Sequence, residues 1–524
     1  MDFIDCDWSR DVRRSFVSGA IILMAAGLIA RLFGFAYRIY LSNLAGAEGM
    51  GLFQLVTPVY ATVVLTITAG ISIAVSKMVA EQQARKQPVN SSRITVCALV
   101  MVLAAGILVS LLIFLNSTLI SGRILGDSRT HTALLLLVPC LPAIVAAAAL
   151  KGYFYGIQQV MPTAISQIVE QIVKMGFILL LSSSIMVRGP EYACAFAILA
   201  AGIGEIANLI VLAVFYTLKS KHSSARKVVG KPMRKRLIIK ELLKESLPVS
   251  ANRLVVSILS AAEYILIPAM LVAGGLQYKS SMELFGRLAG MALPLIMFPS
   301  LVTNSLATTL VPAISESVSL NNYKAVNYRI SKSIQATFIM GIIFTAIFIS
   351  YPNEISALVY KHEKIGDLLY LLSFSCIFIY LQQTLMGVLN GLGRQGILLR
   401  NSVIGSLLRI CAVYFLIPSF GINFYIVGLG ASFMLTSILN LHAINKITGL
   451  VLDLRDWLIK PGLVGIVMVV VGRYVLYFFQ ILGLSSGMTL LITLAANVVI
   501  AVFLMLLAGV LKMGELLKIA GLKR

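Results

Sequence analysis

The chain has 524 residues, of which 59% are hydrophobic and 12% charged, and its mean hydropathy is +0.94. A soluble chain carries about 25% charged residues, so a water-soluble globular class is excluded. The formal net charge of +22 does not call for nucleic acid, because most of the basic residues fall in the short segments that join apolar runs.

Fourteen apolar stretches are each long enough to cross about 30 Å of hydrocarbon as a helix. They lie at about 16–40, 52–76, 94–119, 132–155, 162–186, 191–218, 246–272, 284–315, 333–352, 367–390, 397–417, 423–445, 461–480 and 488–511. The expected fold class is therefore all-α, a polytopic membrane protein of about 14 transmembrane helices. With the N-terminus inside, the inner joining segments hold 29 Lys and Arg against six in the outer ones. That asymmetry puts both termini in the cytoplasm. The first run follows Arg13-Arg14 but is too long for a signal peptide, and it reads as a retained span.

In chain order, the first span carries Arg31 and Arg38, seven residues apart and so on one helical face. Pro58 and Gly70 interrupt the second span. Glu170 and Lys174 stand at i,i+4 on the fifth, a spacing that favours an ion pair. Glu205 lies in the sixth. The basic stretch 219–245 then joins two halves and reads as a topology determinant touching anionic membrane lipids. Arg253 and Glu263 lie in the seventh span, and Arg287 lies near the outer end of the eighth. The eighth run also holds Pro294, Pro299 and Pro312, which mark a bent or unwound helix. Arg409 sits at mid-depth in the eleventh.

The two halves are related by an offset of 235 residues. Leu150-Lys151-Gly152-Tyr153-Phe154-Tyr155-Gly156 returns as Leu385-Met386-Gly387-Val388-Leu389-Asn390-Gly391, Lys174 as Arg409, and Glu81 as Glu316. Repeats of this kind are the footprint of a transporter built from two lobes. The expected division is a six-helix lobe over 1–218, the cytoplasmic linker over 219–245, a second six-helix lobe over 246–447, and two extra helices with a tail over 448–524. Gly152/Gly156 and Gly387/Gly391 are small-residue motifs that predict close helix packing.

Eight bases fall within spans against three deep acids, Glu170, Glu205 and Glu263. Each such charge costs about 3 kcal/mol at mid-bilayer and should face a wet cavity or a partner. A surplus of arginine suits an anion, phosphate above all, because the guanidinium fork holds it with two hydrogen bonds. Arg31, Arg38, Arg253 and Arg287 are the candidate ligands. Glu170, Lys174, Glu205, Glu263 and Arg409 are candidates for coupling or structural charges, with Glu205 and Glu263 read as ion or proton sites. Six scattered cysteines and four separated histidines predict neither a disulfide framework nor a metal site. No phosphate-loop motif is present and no cofactor is implied.

Arg31-Leu-Phe-Gly34-Phe35-Ala-Tyr-Arg38, Gly46-Ala47-Glu48-Gly49-Met50-Gly51-Leu52 and Ser76-Lys77-Met78-Val79-Ala80-Glu81 resemble the stage V sporulation protein B family. Lys151-Gly152-Tyr153-Phe154 and Ala164-Ile165-Ser166-Gln167, with Glu170-Gln171, extend the likeness. The resemblance points to the multidrug/oligosaccharidyl-lipid/polysaccharide (MOP) exporter superfamily, which includes flippases of peptidoglycan precursors. It implies two six-helix lobes around a central cavity, with span-1 and span-8 arginines in that cavity. It further implies a lipid-linked glycan pyrophosphate as cargo, use in spore cortex synthesis, peptidoglycan synthases as partners, and no enzyme activity. Two other readings are an ion-coupled multidrug exporter of the same superfamily and a scaffold that transports nothing.

Overall fold

The computed structural model describes residues 5–85, 87–182, 189–224, 233–451, 453–481 and 486–510, and of 5–24, 88, 220–224 and 486 the backbone alone. All regular elements among the described residues are helical, as the all-α expectation required. Eleven helices are long and apolar enough to cross a membrane, or up to 13 when each of two bent pairs counts as one span. The stretch Ala25–Ala84 enters that count once, although it has 60 residues. At about 1.5 Å per residue it would run roughly three times the hydrocarbon thickness. Gly46 breaks it, with φ 66° and ψ −178°, a conformation that residues with a Cβ rarely adopt. The expected count of fourteen depends on the two arms that meet at Gly46 crossing separately.

The chain divides into two compact units, Met1–Ile265 and Leu266–Arg524, and the division falls within the helix Lys235–Ala273. The first part of that helix belongs to the N-terminal unit. Ile238 and Leu242 are fully buried in its hydrophobic core together with Val75, Val79, Ile94 and Leu150. Gly70 lets the helix approach, since a Cβ there would meet Ser246 and Ser250. Lys77 reaches across to Glu245 at 2.8 Å.

The small-residue motifs pack as predicted, and with the predicted symmetry. A Cβ on Gly152 would lie 2.7 Å from the Ser72 carbonyl oxygen, and one on Gly156 would lie 2.7 Å from Val79 Cβ. In the C-terminal unit, Gly387 meets Ala307 at 2.7 Å and Gly391 meets Ile314 at 3.0 Å. Ser72 to Ala307 and Val79 to Ile314 are again offsets of 235. The repeat therefore relates the contact partners as well as the motifs.

Bends also recur at matched places. In the C-terminal unit the helices Gly366–Ser373 and Cys376–Gly391 meet at 55°. The N-terminal unit carries a 3-10 turn at Val138–Cys140 in the corresponding position. The proline-rich eighth run is a bent pair, Tyr278–Met297 with Ser300–Ser319 at 57°, as its prolines predict. Its first arm contains a π-helical stretch, Gly286–Ala292. The helices Lys460–Ile481 and Ser486–Leu507 follow the repeat, and Val464, Met468, Ala501 and Met505 share a buried cluster with Ala346.

Candidate functional site

Glu170, Lys174, Glu205 and Arg38 come together in one place. They line a cavity of 260 Å³ within the N-terminal unit, with Tyr37, Thr57 and Tyr60 among its other walls. Five separate stretches build it: the two arms of Asp5–Ala84, the end of the helix His131–Leu137, the helix Met161–Leu180, and the helix Pro190–Ser224. Its two bases balance its two acids, so this cavity is not the cationic one expected from the surplus of bases in the spans.

The acids are tied together by a residue that pattern reading missed. Asn208 is fully buried, and its Nδ2 donates to Glu170 Oε2 at 2.8 Å and to Glu205 Oε2 at 3.1 Å. One amide thus serves two carboxylates that stand on different helices. Gln171 Nε2 donates to the other Glu170 oxygen at 3.1 Å. Asn208 Oδ1 and Gln171 Oε1 are buried acceptors with no donor among the described residues. Buried carboxylates accept and cannot donate while ionised, so such amides are what makes their burial tolerable.

Lys174 does not pair with Glu170, although i,i+4 spacing allows it. Its Nζ lies over the Tyr37 ring, 4.3 Å from the centroid, and among the described residues it makes no ion pair with either acid. Tyr37 is buried and donates from its hydroxyl to the Ala197 carbonyl at 3.3 Å, which fixes the ring under the ammonium. The physical reason is competition. Glu170 is already engaged by Asn208 and Gln171, and a desolvated aromatic face is a good alternative for an ammonium.

None of the other candidates lines this cavity. Arg31 and Arg253 are exposed on the N-terminal unit, and among the described residues neither makes an ion pair. Glu263 is 4% exposed and lies outside the cavity. In the C-terminal unit, Arg287 Nε donates to Glu363 Oε2 at 2.7 Å. Arg409 donates to Ser406 Oγ at 3.0 Å and Ser432 Oγ at 3.2 Å and lies 5.6 Å from the Phe433 ring centroid, all in the same unit. A further charged cluster, Arg129 with Glu48 at 2.6 Å and Asp127 at 2.9 Å, fastens the segment after Gly46 to the start of the fourth run. Glu48 lies 81 residues from Arg129 in the chain, and no periodicity links them. Among the described residues no group of three or more His, Cys, Asp or Glu could hold a metal ion.

These features define a polytopic all-α membrane protein that keeps ionisable side chains inside its helices. The chain belongs to the polysaccharide biosynthesis protein family, whose profile matches residues 16–318. It is 26% identical over 512 residues to stage V sporulation protein B of Bacillus subtilis (strain 168), covering 97% of this chain and 98% of that protein. Among solved structures, a lipid II flippase MurJ in an inward closed conformation matches with a TM-score of 0.70 at 14% identity, over 93% of this chain and 98% of that one. An inward-facing multidrug resistance MATE family transporter of the MOP superfamily matches with a TM-score of 0.66 at 13% identity, over 82% and 98%. The fold is that of these transporters.

Proposed function

We propose that the protein is a flippase that moves an undecaprenyl-pyrophosphate-linked peptidoglycan precursor from the cytoplasmic to the outer leaflet by alternating access. Arg31, Arg38, Arg253 and Arg287 are its headgroup ligands, both termini are cytoplasmic, and its use is in spore cortex synthesis alongside peptidoglycan synthases. The observation that carries this reading is the exposure of Arg31 and Arg253 without ion pairs among the described residues. An arginine kept within a span without a carboxylate is costly unless it meets an anion, and pyrophosphate matches the guanidinium fork. Family membership supports a polysaccharide-pathway cargo.

The charge-balanced cavity is assigned to coupling. Glu170 and Glu205, held by one amide, can take up or release a proton or a cation beside Arg38, which links that event to the headgroup. A second reading, an ion-coupled exporter of drugs, draws on the same acid pair, but leaves Arg31 and Arg253 without a role.

Translocation of lipid II in proteoliposomes tests the proposal, comparing the intact protein with Arg31→Glu and Arg253→Glu. The expected result is loss of translocation in both folded variants. Full activity in both, or no translocation by the intact protein under any imposed gradient, overturns it.

A further inference from the structure

The structure assigns to Glu363 the part of an internal stand-in for the anionic headgroup, occupying Arg287 until pyrophosphate displaces it. This rests on the reading of Arg287 as a headgroup ligand and adds a residue that sets which anions reach it.

Arg287 lies on the π-helical stretch Gly286–Ala292, a local widening of the helix that often accompanies function. Its Nε donates to Glu363 at 2.7 Å, and the two side chains are 35% and 16% exposed. The pair is thus open to solvent from the arginine side, where an incoming anion can compete for the guanidinium. Glu363 belongs to the run Lys361-His362-Glu363-Lys364, whose other three residues are exposed. The one acid in a basic run is turned toward the one arginine of the π-helix.

The loop does not need that carboxylate to stay in place. Tyr360, 2% exposed, donates from its hydroxyl to the Met291 carbonyl at 3.2 Å. Ser356 Oγ donates to the Glu363 carbonyl oxygen at 3.2 Å and accepts from the Ile365 N–H at 3.0 Å. These bonds tie the segment to the π-helix and to itself through backbone atoms. The Glu363 side chain can therefore leave Arg287 while the loop remains docked.

The chemistry of exchange follows from the acceptor. A carboxylate and a phosphate use the same face of a guanidinium, but pyrophosphate brings more charge and more acceptor oxygens. A resident carboxylate compensates Arg287 when no cargo is bound. It also excludes weaker monoanions, which cannot outcompete a tethered group.

The test is calorimetric titration of farnesyl pyrophosphate into the full-length protein in detergent, for the unmodified chain, Glu363→Gln, Arg287→Gln and the double variant. Glu363→Gln should bind the probe about three- to fivefold more tightly, the range open to a partly exposed pair. Arg287→Gln should weaken binding, and the double variant should show no gain over Arg287→Gln. Inorganic pyrophosphate titrated in parallel should show the same gain, because the headgroup alone is read. Unchanged or weaker binding by Glu363→Gln, with Arg287→Gln still weakened, overturns the stand-in and leaves Arg287 as a ligand. Equal binding by Arg287→Gln and the unmodified chain overturns both. If Glu363→Gln does not fold, Glu363→Asp, which withdraws the carboxylate by one methylene, is read the same way.

Discussion

Lys174 lies over the ring of Tyr37, 4.3 Å from its centroid, and leaves Glu170, one turn earlier on its own helix, to Asn208 and Gln171. Its counterpart in the other unit, Arg409, lies 5.6 Å from the ring centroid of Phe433. Two bases related by the repeat are thus stabilised in the same manner, each over an aromatic ring. The rings come from non-equivalent elements, the first arm of Asp5–Ala84 in one unit and the helix Ile422–Thr448 in the other. The repeat preserves a half-buried base over an aromatic ring, and not the element that supplies the ring.

Removing the ring should therefore cost more than removing its hydroxyl. Tyr37→Leu is expected to lower stability by about 2 kcal/mol, the scale of a desolvated cation–π contact. Tyr37→Phe keeps the ring and loses only the 3.3 Å bond to Ala197, at about 1 kcal/mol. Thermal unfolding of both variants in detergent measures the difference. Equal losses would show that Lys174 gains nothing from the ring.

Asn208→Leu should destabilise by about 1–3 kcal/mol, because it strips one shared donor from two buried carboxylates. Adding Glu205→Gln in that background should recover part of the loss, since the new amide can donate to Glu170. A double-mutant cycle on unfolding midpoints reads this directly. Strict additivity of the two changes would mean that Glu170 and Glu205 do not depend on each other through Asn208.

Much of the architecture was legible because it rests on local patterns. Apolar length marked the spans, prolines 294 and 299 marked the bend of the eighth run, and Gly152 with Gly387 marked close packing. The cavity was only half legible. Glu170, Lys174 and Glu205 stood out as charges in apolar runs, but their partners did not. Asn208 and Tyr37 are unremarkable in sequence, and only the packing of separate helices brings them to the charges. Glu363 and Arg129 lie outside the apolar cores of the spans, where a charge is no signal at all. Long-range pairing of ordinary residues has no periodicity to betray it.

The packing motifs can be tested against a built-in control. Gly152→Ala and Gly387→Ala should each destabilise by about 1–3 kcal/mol, since a Cβ at either site would lie 2.7 Å from neighbouring backbone or side-chain atoms. Gly176→Ala, where a Cβ would meet nothing within 4 Å, should be neutral or stabilising by about 0.5–1 kcal/mol through helix propensity. Unfolding midpoints of the three variants decide the matter. Similar losses at Gly152 and Gly387 are expected because their contact partners obey the same offset.

Arg31 and Arg409 should separate transport from stability. Arg409 is held by two serine hydroxyls at 3.0 and 3.2 Å, so Arg409→Ala is expected to cost about 2 kcal/mol by leaving those groups without their charged donor. Arg31 is exposed and makes no ion pair among the described residues, so Arg31→Ala should change stability by no more than about 0.5 kcal/mol. Translocation should show the opposite order, falling sharply for Arg31→Ala while Arg409→Ala retains activity at temperatures where it is folded. Measuring both properties on both variants is what gives the comparison force. A stable and fully active Arg31→Ala protein would mean that the exposed arginine of the first span does not touch the cargo.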